Sequence, residues 1–524
     1  MAEVMIPPWA RPESPETIRM IDDATVAFSG AFGRGMTQRG IFADPRWGLR
    51  RRYRGLRSDE KSAILYALNE SRGQFNIIRV TPHAPIRGSF ATSELLTNNT
   101  FASGTTGWST TNGVLSVSDR IARLTASTPG ANVQITQSAT LTQYAPYALR
   151  VMIYEGAGSA GLSIGPSLTG GNNSPNGYST SRGLLTASAV NDGTGAQTQF
   201  GAVFSSTSGF TAGAYISIPY LSLARCALVD IGSNLLTRSD EFDNAAWTKS
   251  GVASVVADAS TAPDGMTTAD SLIENSSLSE HLVHQGFTVS SAAVDVAFCI
   301  AIKAGVRTFA VLDLFEGTGS TIARQFFNLG TGAVGTGLTQ ANWSNRRAFC
   351  ASLGNGWNLC CIVARKTNAA TSLRAYVGLA SADGTAGYTG DGASDIRVWR
   401  GTVALSSVPT RLVQTTSAAT TGSSPTGGAM YTKGWPASTS GLLLAGDWFE
   451  INGELKQLTA PVNSDAAGLA YMQFRPGLAG SPADNDPIIV LEPFGRFIYP
   501  GTREFENLFG IYGDCEMNFE EIYS

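Results

Sequence analysis

Leu95-Leu96-Thr97, followed by Phe101 and Trp108, recurs as Leu235-Leu236-Thr237, followed by Phe242 and Trp247. The interval of about 140 residues is the size of a whole domain, whereas solenoid repeats run roughly 20 to 50 residues. The middle of the chain is therefore read as a tandem pair of domains. Behind each copy come short apolar runs broken by Gly, Asn, Asp and Pro. In the first copy these are Gly113 to Val117, Val133 to Gln137, Tyr147 to Tyr154 and Tyr215 to Ala224. In the second they are Val294 to Ile302, Thr308 to Leu314, Trp357 to Ala364, Leu373 to Leu379 and Asp395 to Trp399. Runs of this length and punctuation are strands. Each copy also ends on one, as in antiparallel sandwiches whose first and last strands pair. Residues 91–230 and 231–412 are thus expected to be two β-sandwich modules.

The segments outside the pair read as two halves of one scaffold, residues 1–90 and 430–524. In the first half, Trp47 to Leu56 alternates roughly. Ser58-Asp59-Glu60 then supplies an N-cap and an acidic first turn for one short helix, with Ile64, Leu65 and Leu68 as its apolar stripe and Gly73 as its stop. Phe75 to Val80 is expected to be a strand, with Phe75, Ile77 and Arg79 on one face. In the second half, Trp448 to Ile451 and Glu454 to Leu458 flank Asn452-Gly453, the preferred composition of a type I′ hairpin turn. Ile488 to Leu491 and Gly513 to Ile522 add strands. Between the second module and this half, residues 413–429 are rich in Ser, Thr and Gly, a flexible linker by composition.

A chain of 524 residues with 43% hydrophobic and 15% charged residues has enough apolar mass for several cores, so bulk disorder is excluded. Nothing at the N-terminus reads as a signal peptide, and no run approaches the roughly 18 to 20 apolar residues of a membrane span. A soluble protein made in a cytoplasm, without membrane insertion, is expected. Six cysteines without a CxxC pair read as free, mostly buried thiols. Net charge is −4, but residues 1–90 carry 14 Lys/Arg against 9 Asp/Glu, and residues 430–524 carry 5 against 13. Opposite signs suit halves that pack together or meet across a subunit contact.

Few residues point to chemistry. Gly161-Leu162-Ser163-Ile164-Gly165 matches a nucleophile-elbow pattern, but the Gly/Asn/Pro/Ser loop after it cannot form the helix that geometry needs. His281 and His284 are two potential zinc ligands short of a third, Cys299 being the nearby cysteine candidate. Asp240, Glu241 and Asp243 lie too close in sequence to span a glycosidase cleft, and are read as turn caps or structural cation ligands. No catalytic residue, cofactor or metal site is assigned, and an enzyme is not expected. Trp343, Trp357, Trp399 and Tyr376 in the second module are candidate stacking platforms for sugar rings, as are Tyr144, Tyr147, Tyr178 and Tyr220 in the first. Arg50, Arg51, Arg52 and Arg54 are candidates for an inter-subunit contact with the acidic C-terminal segment. A nucleic-acid reading of that basic cluster lacks a global footprint at a pI of about 5.6.

The flanking segments also carry a resemblance. Trp47-Gly48-Leu49-Arg50 through Ser58-Asp59-Glu60 and Arg72-Gly73-Gln74-Phe75 are similar to distal tail proteins of long-tailed phages. So are Gly434-Trp435, Gly441 to Trp448, Ile451 to Lys456, Pro482 to Val490 and Phe494 to Phe497. The similarity covers about 185 residues, and about 340 residues separate halves that are nearly contiguous in shorter relatives. It implies a ring, typically of six subunits, joining the tail tube protein to tail-tip hub or baseplate proteins. DNA would pass through its lumen without specific binding. The paired modules, with Asn234 to Thr237, Phe242 and Ala246 to Lys249, resemble jelly-roll carbohydrate-binding modules of phage tail and fibre proteins.

The combined expectation is an all-β structural protein of a virion tail tip or baseplate. A discontinuous sandwich or barrel scaffold with one short helix is interrupted by two jelly rolls, which bind host cell-surface polysaccharide or neighbouring tail proteins. The alternatives are a host-glycan receptor-recognition protein of the tail, or a polysaccharide depolymerase.

Overall fold

The computed structural model describes residues 3–6, 13–29, 35–53, 60, 61, 64, 67, 77–82, 88–90, 94–127, 133–156, 159–165, 183–191, 199–205, 213–420, 427–499, 506, 507 and 513–522. Nearly all of them are in strands or the turns between strands, so the chain is an all-β protein. Helical backbone occurs at Glu60, Lys61, Ile64 and Ala67, and Ile64, of the expected stripe, is buried. The other two stripe residues, Leu65 and Leu68, the proposed cap Ser58, the stop Gly73 and Phe75 of the expected strand lie outside the described residues.

The two ends of the chain share one sheet. Its strand order is Glu3–Met5, Ile77–Val80, Gly495–Ile498, Gly513–Glu521, Gly35–Tyr53 and Glu13–Ser29. The strand Gly35–Tyr53 alternates, with Trp47, Leu49, Arg51 and Tyr53 buried while Arg50 and Arg52 face solvent. It pairs with the acidic strand Gly513–Glu521, Arg52 opposite Glu516 and Gly48 opposite Glu520, and Arg46 lies 3.7 Å from Glu520. The opposite charges of the two ends therefore meet within one chain. Beyond that contact, the distal halves of Glu13–Ser29 and Gly35–Tyr53 pair only with each other among the described residues, forming a long two-stranded arm.

The C-terminal half also closes a barrel from Gly427–Lys433, Ala470–Leu478, Glu454–Leu458, Trp448–Ile451 and Pro487–Ile489. Its remaining strand is Ala227–Asp230, the last residues of the segment that sequence assigns to the first module. The expected Asn452-Gly453 turn is there, with φ of +50° and +80°. Barrel and shared sheet pack through Trp47 and Trp448, whose rings lie 4.7 Å apart, and Trp47 Nε1 donates to the Leu455 carbonyl at 3.0 Å. The end of the N-terminal half docks on the Leu442-Leu443 loop, where the amides of Ser89 and Phe90 donate to the carbonyls of Gly441 and Leu442.

Both modules are sandwiches, and the duplication extends to their hydrogen bonds. Glu94 Oε1 accepts from the amides of Leu96 and Leu223, tying the first module's opening segment to its closing strand. At the equivalent position, Asn234 Oδ1 accepts from Leu236 and Val403. Thr97 exchanges hydrogen bonds with the Gln137 side chain, and Thr237 does the same with Gln285. Trp108 Nε1 donates to the Asn98 carbonyl and Trp247 Nε1 to that of Arg238, each beside its phenylalanine partner. The quoted motif is thus a latch that closes each sandwich.

The first module is fused to the scaffold. Met152, Tyr154 and Tyr220 belong to the same core as Trp47, Trp448 and Phe494. Arg150, 2% exposed, donates to Glu450 Oε2 at 3.2 Å and to the carbonyls of Leu491 and Glu492 at 2.7 and 3.1 Å. Burial opposes its charge, but Tyr220, Glu450, Glu492 and Glu94 around it raise its pKa above the usual arginine value.

Two expectations are corrected. Cys299 and Cys361, directly opposite on the antiparallel strands Val294–Ala304 and Trp357–Lys366, form a disulfide rather than staying free. Cross-strand pairing brings them to a Cα separation of 4.1 Å, which sequence separation concealed. Cys226, Cys350 and Cys360 are free. The start of the presumed flexible linker is packed: Thr415 and Thr416 accept from the amides of Ser239 and Arg238, and Thr420 pairs with Asn234. These bonds satisfy backbone groups of the latch, which a free linker would leave to water.

Candidate functional site

The second module has a seven-stranded and a six-stranded sheet, and their alternation separates core from surface. The larger comprises Thr248–Ser250, Leu278–Thr288, Ser372–Ala380, Phe309–Glu316, Thr321–Asn328 and Ala333–Thr339, with Gly387–Thr389 pairing off Leu278–Thr288. Val283, Phe287, Leu312, Leu314, Ala375 and Val377 face the core. The alternate residues His284, Tyr376, Asp313, Arg324 and Phe315 form the other face.

On that face His284, Tyr376 and Asp313 occupy one register row across three strands. The His284 and Tyr376 rings stack at 4.4 Å with 27° between their planes, and Phe315 meets Tyr376 edge-on at 5.9 Å. Arg374 lies 5.5 Å above the Phe315 ring. Arg324 bridges two carboxylates, donating to Asp313 at 2.7 and 2.8 Å and to Glu280 at 2.7 and 3.0 Å. Burial works against its charge, yet these bonds leave Arg324 above the usual arginine value. Burial raises Asp313, with Arg324 pulling the other way. His284 is pushed below its usual value by burial and by Arg374, so its imidazole is neutral near pH 7. Among the described residues, its buried Nδ1 has no hydrogen-bond partner.

A stacked pair of flat rings beside fixed cationic and anionic groups suits the apolar face and hydroxyls of a sugar. Both carboxylates are held by Arg324.

Of the proposed platforms, Tyr376 is on this face and half-buried. Trp343, Trp357 and Trp399 are 5%, 1% and 5% exposed, and their indole N–H groups donate to the Thr321 carbonyl, the Thr261 carbonyl and Thr268 Oγ1. They are packing residues, because their strand positions point them into apolar clusters. In the first module Tyr147 and Tyr220 are buried, Tyr144 lies under the guanidinium of Arg347, and Tyr178 is outside the described residues. Arg51 is 1% exposed and donates to the Thr81 carbonyl, which removes it from any subunit contact; Arg50 and Arg52 are exposed, and Arg54 is outside the described residues.

His281 and His284 face opposite sides of their strand, since three residues is an odd step. His281 is fully buried against the carbonyls of Gly251 and Tyr388. Among the described residues no cluster of three His, Cys, Asp or Glu could hold a metal. Asp240 pairs with Arg400 at 2.9 Å, and Glu241 accepts from Arg238 and Asn244. Ser163 lies mid-strand, opposite Gly201, instead of on a sharp turn. Sequence reasoning missed Asp313 and Arg324. Their signal was an acid inside the apolar run Phe309 to Phe315, which a strand tolerates only with a cross-strand partner.

No protein-family model matches the chain, and no curated protein matches it. Among solved structures it is similar to the enzymatically active domain of tailspike protein 4 of bacteriophage CBA120, at 13% identity and a TM-score of 0.22 over 33% of this chain. The match spans only 21% of that domain. It is also similar to a truncated AlyQ with CBM32 and alginate lyase domains, at 12% identity and a TM-score of 0.15, covering 62% of this chain and 99% of that one. Likenesses this slight fix neither fold nor function.

Proposed function

We propose that the protein is a structural subunit of a phage tail tip that closes into a homo-oligomeric ring, six copies on the family resemblance, between tail tube and tip proteins. The observation that carries this reading is the scaffold itself. Strands from both ends of the chain interleave in one sheet, and that sheet extends into an arm with open edges. Unpaired strand edges are templates for another chain, and head-to-tail use of one arm per subunit generates a closed ring when the rotation closes. The arm replaces the basic cluster as the proposed contact, because Arg51 is buried and Arg46 is paired with Glu520 within the subunit. The test is to excise residues 24–40 and rejoin Asp23 to Ile41, which are register partners, through Asn-Gly. Mass photometry should then find single subunits where the full chain gives rings. Rings unchanged by the excision would overturn the arm's role.

A second reading belongs to the second module: its sheet face binds host surface glycan. The stacked His284–Tyr376 pair beside the Arg324-held carboxylates favours it. A glycan array probed with the full protein and with Tyr376→Ala tests it. Binding lost in the variant supports the reading, and no binding by either protein contradicts it.

A further inference from the structure

A cavity of about 430 Å³ lies at the seam between the first module and the scaffold, within the range of roughly 300 to 1,000 Å³ typical of small-ligand sites. One wall comes from the shared sheet, where Arg79 and Arg496 are direct register partners on antiparallel strands. Both side chains therefore leave the sheet on the same face, with Cβ atoms about 5 Å apart. The barrel's hairpin turn forms the adjoining wall. A Cβ on Gly453 would lie 2.9 Å from Arg79 Nη1 and 3.0 Å from Arg496 Nε, so glycine at this turn keeps room for both guanidinium groups. Thr186 and Ser188 line the cavity from the first module, and Asn485 and Asp486 from the barrel. Among the described residues, Asn485 Oδ1 is buried and accepts no hydrogen bond.

We propose that this cavity binds an acidic sugar, a hydroxylated monocarboxylate of hexuronate size. Two guanidinium groups side by side match one carboxylate with charge-assisted bonds. The remaining lining is not that of a plain anion site. Glu450 and Asp486 repel a multiply charged phosphate but accept hydrogen bonds from hydroxyls. Glu450 is itself held by Arg150, by the Phe494 amide and by Arg79 at 3.9 Å, so it is a fixed acceptor in the wall. The ligand would touch both the first module and the scaffold, and binding would stabilise their seam. This inference does not depend on ring formation or on the second module's sheet face.

The experiment is calorimetric titration of the full chain with glucuronate, glucose and inorganic phosphate, each at about 10 mM, where an affinity near 1 mM would fill roughly nine-tenths of the sites. Glucuronate should bind, and glucose and phosphate should bind at least tenfold more weakly. Arg496→Gln should weaken glucuronate at least tenfold. Thr186→Trp, at an exposed position on the cavity rim, should abolish binding while the far-ultraviolet spectrum stays unchanged. Because Thr186 is exposed, this variant keeps the test open if Arg496→Gln fails to fold. The inference is overturned by no glucuronate binding, by glucose or phosphate binding as tightly, or by a folded Thr186→Trp protein that binds like the parent.

Discussion

Replacing Arg150 with Met should uncouple the first module from the scaffold. Met keeps most of the stem but removes every donor. Glu450 would lose its 3.2 Å partner and keep Arg79, 3.9 Å away, and the Phe494 amide. The carbonyls of Leu491 and Glu492 would lose the donors now at 2.7 and 3.1 Å. Breaking one side of a buried, hydrogen-bonded ion pair costs about 3–5 kcal/mol. Two orphaned carbonyls, at ~1 kcal/mol or more each, are already part of that figure. With a urea m-value of about 2–3 kcal/mol/M, the unfolding midpoint of the fused unit should fall by roughly 1–2.5 M. Urea titration of Arg150→Met, Glu450→Gln and the double variant completes a cycle. The double variant should cost less than the sum of the singles, because Gln removes the buried charge that Arg150→Met strands. A loss under ~1 kcal/mol, or strict additivity, would refute the argument that this pair locks the seam.

Three further outcomes follow from named groups. Glu521 accepts the amides of Trp47 and Leu455, yet burial pushes its pKa from the ordinary 4.5 up to about 7. A raised carboxyl contributes stability that is complete below its unfolded pKa and lost as pH rises through its folded one, so about 3 kcal/mol should disappear between pH 4.5 and 7. Glu521→Gln should flatten that slope in urea midpoints measured across the window, and a slope identical to the parent's would contradict the assignment. Asn234→Ala would leave the Gly401 and Val413 carbonyls and the Leu236 and Val403 amides without their partner, costing about 3–5 kcal/mol in the second module; a loss below ~1 kcal/mol in calorimetry would show that the latch is dispensable. The Cys299–Cys361 bond closes a separation of 62 residues, so reduction should lower the second module's stability by up to ~4 kcal/mol, and urea midpoints unchanged by reductant would argue against the bond.

The sequence disclosed what local chemistry dictates. Asn452-Gly453 announced its hairpin because only a few residue types accept two positive φ values in succession. The Leu-Leu-Thr, Phe and Trp spacing announced the duplication because the latch is built from one short segment. The fold class followed from short apolar runs, and the expected strands fall close to the observed ones. Long-range pairing stayed hidden. Arg79 and Arg496 come from opposite ends of the chain and become neighbours only through sheet register. Cys299 and Cys361 were hidden for the same reason. The tryptophans misled because aromatic content alone does not say which face of a strand a ring is on. Arg51 misled similarly: it stands in a basic run with Arg50 and Arg52, but alternation buries it between two exposed neighbours.

The central claim is assembly, and particle images of the purified 55.0 kDa chain by negative-stain electron microscopy test it most directly. Closed rings, six-fold on the family resemblance, with second modules as lobes on the outer rim, are the expected result. A field of single subunits at micromolar concentration would contradict it.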